Sequence, residues 1–188
     1  YIFYHRHTNG TWFSRQGCAE KLPIREDGLF GQAELTSCGL NGGPLAGEGY
    51  YPSCIACHLF TDRPVIYVGD SDKPEYVNGS FPKIVKEGWD GDQNEGYITN
   101  MYDQCTAGFR YFDLSHVSEI TLTIRGYAYG SMEIRTSFEG SAVKTIPLHY
   151  SNIWRDIKTE IKLPEGADSL YFTYRGPGSA SFKGFTLK

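Results

Sequence analysis

Between residues 108 and 188 short strand-like runs alternate with turns at regular spacing, and in places the runs alternate cleanly between apolar and polar residues. Seven such runs can be marked, at 108–114, 119–128, 131–138, 142–149, 154–163, 170–176 and 181–188. Ile120, Leu122 and Ile124 alternate with Thr121, Thr123 and Arg125, and Ile157, Ile161 and Leu163 with Lys158, Glu160 and Lys162. A period of two puts one set on a core and the other in water, which is the pattern of a half-buried strand. No helical period of useful length runs anywhere in the 188 residues. Seven short strands at this spacing predict an antiparallel β-sandwich, of jelly-roll type.

Composition supports that class and narrows the partners. Apolar residues make up 40% of the chain, enough for a packed core. The net charge of −4 argues against a protein that grips a nucleic-acid backbone, which needs a basic face. No apolar run approaches the ~18 residues of a membrane helix. The 14 Tyr and 11 Phe have two readings. Aromatics are good strand formers, and aromatic faces also stack on the apolar face of a sugar ring.

The first 60 residues are organised differently. Two strand-like runs, 1–7 and 12–20, flank Asn9-Gly10, the strongest short-range hairpin cue. A two-residue turn there would pair His7 with Trp12, Arg6 with Phe13 and His5 with Ser14. His5, His7, Trp12 and Ser14 would then share one face, with Arg6 and Arg15 on the other. Residues 31–40 form a further expected strand, 41–49 a glycine-rich loop, and 50–60 a last strand. Four strands make too little core to stand alone, so this segment should pack on other structure. Composition changes near residue 61, and the division expected is 1–66 and 67–188.

Other residues invite chemistry. Five cysteines leave at least one thiol unpaired. Cys18 and Cys38 are either bridged or two buried thiols. Cys54 and Cys57 form a C-x-x-C whose members would point to opposite faces of a strand, and no second C-x-x-C follows. Asp90, Asp92, Asn94 and Glu95 offer the hard oxygens that calcium prefers. Glu95 stands where an EF-hand loop has Gly, so the patch is either a calcium site or a solvated loop.

Two resemblances add to this reading. "YIFYHRHTNGTWFSRQGCAEKL" and "ELTSCGLNGGPL" resemble the late-blade segment of glycoside hydrolase family 43, over about the first 60 residues. The resemblance implies the last strands of a five-bladed β-propeller that hydrolyses arabinofuranosyl or xylosyl linkages with inversion, by separated acid and base carboxyls. It implies that His5 is the propeller-axis histidine, near a calcium or its waters. It also implies that Arg15 contacts the sugar, with Arg6 and Gln16 beside it. The family's catalytic carboxylates have no counterpart in this chain. Glu20, Glu34 and Glu48 are not assigned to those roles, and the chain alone is expected to hydrolyse nothing.

Residues 67–188 resemble carbohydrate-binding module family 6. The match runs through "GYITNMYDQCTAGFRYFDL", "SNIWRDIKTEIKL", "SLYFTYRG" and "SFKGFTL". It implies an aromatic clamp on a sugar ring, with Trp154 and Tyr97 in the clamp and Trp89 as an alternative ring. Ser181 falls where the family carries a hydrogen-bonding Asn. The alternative for Trp154 and Tyr97 is a packing role. Together the resemblances imply a plant or microbial polysaccharide or oligosaccharide as ligand, calcium as the metal if there is one, and secretion or a periplasmic location in a bacterium. The alternative function is a module that binds glycan without catalysis, or only braces its neighbour.

Overall fold

Alternation becomes burial in the structure, a computed structural model that describes residues 1–7, 15–62, 81–86 and 96–188. The strands are β1 (Ile2–His7), β2 (Arg15–Glu20), β3 (Gly49–Pro52), β4 (His58–Phe60), β5 (Lys83–Val85), β6 (Tyr97–Met101), β7 (Thr106–Arg110), β8 (Glu119–Gly126), β9 (Ser131–Arg135), β10 (Lys144–Pro147), β11 (Ser151–Glu160), β12 (Ser169–Arg175) and β13 (Ala180–Leu187). Among the described residues there is no α-helix, only single 3₁₀ turns at Gly39–Asn41 and Ser53–Ile55. In β8, Ile120, Leu122 and Ile124 are buried and their neighbours half-exposed, as the period of two requires.

Two antiparallel sheets form the expected sandwich. One runs β10-β9-β12-β7-β4, the other β11-β8-β13-β6-β5, and β3 also pairs with β13. One edge of β13 is therefore shared: its start pairs with β6 and its end, Gly184–Leu187, with β3. Ser53 is fully buried at that fork. Its Oγ donates to the Phe182 carbonyl and accepts from the Ile98 amide at 2.9 Å. The core is aromatic: Phe109 and Phe172 from one sheet meet Phe182 and Phe185 from the other at ring separations of 5.0–6.2 Å.

Phe182 and Phe185 lie three apart, so in a regular strand they would face opposite ways. Both are fully buried. The register against β8 slips between Phe182 and Gly184, a bulge that turns both rings inward and leaves Lys183 outside. Gly184 is needed there, because a Cβ would lie 2.4 Å from the Tyr51 carbonyl oxygen of β3.

Several expectations for the first 60 residues are corrected. Residues 31–40 hold no strand; Thr36 instead turns back to Glu20 by backbone amide and hydroxyl. The run at 50–60 is two strands, broken after Pro52. These two, β3 and β4, pair with β13 and β7, so they complete the sandwich sheets. The ribbon β1–β2 pairs His7 with Arg15, Arg6 with Gln16 and His5 with Gly17. These pairs replace the expected His7–Trp12, Arg6–Phe13 and His5–Ser14; Asn9-Gly10 itself lies outside the described residues. The physical reason is tertiary: Arg6 and Gln16, directly opposed, both bond to the backbone of residues 54–57.

Candidate functional site

The outer face of the six-stranded sheet collects three residues singled out in the sequence. Ile98, Ile124 and Phe182 point into the core, so Tyr97 and Thr99 of β6, Arg125 of β8, and Ser181 and Lys183 of β13 point out. Trp154 of β11 joins them. The Tyr97 and Trp154 rings lie 5.2 Å apart at 80°. The Arg125 guanidinium sits 4.2 Å from the centre of the Trp154 ring and 5.3 Å from that of Tyr97, and donates to the Tyr97 hydroxyl at 3.1 Å. Lys183 Nζ is 5.8 Å from the Trp154 centroid. Ser181 pairs with Arg125 across the sheet, and its Oγ shares a 2.9 Å hydrogen bond with Thr99 Oγ1.

The sequence-predicted trio is thus brought together, with one feature the sequence reading did not single out. A sugar clamp needs two rings facing each other with a ring's width between them. An edge-to-face pair at this distance is already in contact, and Arg125 covers Trp154 by a cation–π interaction. The slot is filled by the protein's own side chains.

The ribbon residues take other places. Arg6 donates to the carbonyls of Cys57, at 2.7 Å, and Ala56, and to Gln16. Gln16 Nε2 donates to the Cys54 carbonyl at 2.8 Å. Arg6 therefore fastens the ribbon to the sandwich. His5 is exposed on β1. Among the described residues no three His, Cys, Asp or Glu side chains group as a metal site. Trp89, Asp90, Asp92, Asn94 and Glu95 lie outside the described residues, as does the side chain of Arg15, whose backbone opens β2. All five cysteines are free thiols, and burial pushes those of Cys38 and Cys57 up from their ordinary value. Cys54 stands on a 3₁₀ turn, not on a strand.

A second aromatic group went unread in the sequence. Tyr127 and Tyr129, at the β8–β9 turn, meet Tyr150, before β11. The signal was available as Gly126-Tyr127-Ala128-Tyr129-Gly130, two aromatics on one face between glycines.

Comparison with known proteins agrees with this fold. No protein-family model matches the chain. Over 187 residues, all of this chain, it is 51% identical to a xylosidase/arabinosidase of Thermoclostridium stercorarium, of which it spans 39%. The fold is similar to the family 6 carbohydrate-binding module CsCBM6-3 of Clostridium stercorarium, solved with cellobiose (10% identity, TM-score 0.59, 78% of this chain and 98% of that one). It is also similar to part of a family 43 arabinoxylan arabinofuranohydrolase from Bacillus subtilis, solved with cellotetraose (15% identity, TM-score 0.56, 93% of this chain and 34% of that one).

Proposed function

We propose that this chain, a homologue of a xylosidase/arabinosidase with the fold of the family 6 carbohydrate-binding modules, is the glycan-binding part of an arabinose- or xylose-releasing glycosidase of the family 43 type. The observation that carries the reading is the convergence of Tyr97, Trp154 and Ser181, from three strands, on one outward sheet face. The ribbon β1–β2, with His5 and Arg15, is the part that would adjoin the catalytic domain, calcium included. The sandwich in this reading begins near Gly49, since β3 and β4 lie in its sheets. The share of the chain matched by the single module, 78%, also exceeds what residues 67–188 supply.

Binding at Trp154 requires Arg125 to leave the indole face. Arg125→Ala should therefore strengthen binding of xylose or a short xylo-oligosaccharide several-fold. Fluorescence titration reads this, taking the difference between each protein and its Trp154→Phe counterpart. An unchanged indole signal in Arg125→Ala at saturating sugar would sink this site. A second reading, bracing, is favoured by one observation: Arg6 and Gln16 bond the ribbon to the sandwich backbone. The two are compatible.

A further inference from the structure

The Tyr127–Tyr129–Tyr150 group differs from the Trp154 site in being open. The three residues are 66%, 60% and 46% exposed. Tyr127 and Tyr150 lie 4.9 Å apart at 36°, and Tyr129 and Tyr150 6.4 Å apart at 13°. Three adjacent rings left in water represent apolar area that burial would stabilise.

The backbone beneath them is fixed. Ala128, between the two outward tyrosines, is buried and bridges to Gly178. The Tyr129 amide donates to the Pro177 carbonyl and to the hydroxyl of buried Tyr174, which itself donates to Pro177. The Ser179 amide donates to the Tyr127 carbonyl at 3.1 Å. A Cβ on Gly178 would lie 1.7 Å from the Tyr127 oxygen, and one on Gly130 1.8 Å from that of Arg175. The two turns are laid backbone on backbone, which only glycine permits. On the other side, buried Leu148 donates its amide to the Gly130 carbonyl and anchors the turn carrying Tyr150. A platform held this way loses little freedom when a ligand lands on it.

We propose that Tyr127, Tyr129 and Tyr150 form a second, preformed glycan-binding platform that takes several consecutive sugars of a neutral, extended polysaccharide chain. Ring faces offer stacking area and the phenol hydroxyls offer hydrogen bonds, the combination that pyranose and furanose rings satisfy. Three rings are too small a patch for the roughly 800 Å² per partner of a stable protein interface. The proposal rests on the glycan-binding reading above but not on the Trp154 site.

The test compares the whole chain with Tyr127→Ala/Tyr150→Ala, Tyr127→Phe/Tyr150→Phe and Trp154→Ala. Each is run by affinity electrophoresis in soluble arabinoxylan and by calorimetric titration with xylohexaose. The alanine pair should weaken binding about tenfold or more, since each lost stack is worth a large part of a tenfold factor. The phenylalanine pair should stay within about threefold of the parent. Equal melting temperatures confirm that the exposed substitutions leave the fold intact. Parent-like retardation of the alanine pair would overturn the platform while leaving the Trp154 site standing. Loss in the alanine pair with parent-like binding by Trp154→Ala would establish the platform and leave the Trp154 site without support. If the parent binds neither glycan, both readings fall. A concentration-dependent sedimentation shift that disappears in the alanine pair would assign the tyrosines to self-association and overturn the platform.

Discussion

The sandwich and the β1–β2 ribbon both consist of strand-forming sequence, yet they are held by different forces. In the sandwich, alternating residues deliver aromatic rings from two sheets into one core. In the ribbon and the segment behind it, Phe3, Ile24 and Phe30 are 71%, 72% and 70% exposed. What fixes that region is polar: Arg6 and Gln16 on backbone carbonyls, and buried Glu20 accepting from Tyr4, from the Thr36 amide and from its hydroxyl. An apolar pattern, then, specifies a strand but not what the strand packs against. The two regions should respond to different substitutions.

The largest contrast lies in the core. Phe185 touches Phe109, Phe112, Phe172 and Tyr51 and is fully buried. Phe185→Ala should cost about 3–5 kcal/mol in urea unfolding. Phe30→Ala, equally large a truncation, should stay within about 0.5 kcal/mol. Equal losses from the two would break the distinction, because they would mean that the segment carrying Phe30 shares the sandwich's core.

Arg6 tests the ribbon's own fastening. Its guanidinium bonds reach two main-chain carbonyls, and hydrogen bonds to charged groups contribute about 1.5–3 kcal/mol each to what they hold. Arg6→Ala should raise amide exchange and protease cutting in residues 1–48 while the sandwich's unfolding midpoint moves much less. A midpoint drop as large as that of Phe185→Ala would show one cooperative unit instead of two.

The same division explains what could be read from sequence. β8 and β9 were legible because a two-residue period and burial on one face are the same fact, whereas β12 and most of β7 are buried on both faces and were legible only as short runs spaced by turns. Trp154, Tyr97 and Ser181 were legible as a group through resemblance alone; in the fold Trp154 meets Tyr97 edge to face, and Ser181 lies opposite Arg125 beneath them. Arg125 was not, because its position over Trp154 depends on which strands are neighbours, a property of topology. The ribbon's register was misread for a related reason. The pairs were inferred from a local turn signal alone, whereas Arg6 and Gln16, opposed in the ribbon, are both held by the backbone of residues 54–57. Residues 31–40 have strand-like composition, yet Glu20 draws Thr36 into a local turn. The bulge at Lys183 and the junction at Ser53 are likewise set by partners more than 40 residues away in sequence.

The smallest effect falls where the two regions meet. His58, on β4, packs beside Tyr171 at a ring separation of 6.1 Å. Burial, then Arg110 and Arg6, lower its pKa from the ordinary 6.5. The folded protein therefore prefers neutral His58, and the unfolded chain binds the proton first as pH falls. Stability from this group is complete above about pH 6.5 and is lost as pH drops from there to the folded value. Urea midpoints for the parent should decline over that window, and those for His58→Asn should decline less. Because Arg6 is one of the two cations opposing protonation, Arg6→Ala should also flatten the slope, though only in part, since burial and Arg110 remain. Identical slopes for the parent and His58→Asn would remove His58 from the account. A parent-like slope in Arg6→Ala alone would mean that the ribbon's charge does not reach the sandwich, a sharper separation of the two regions than the geometry suggests.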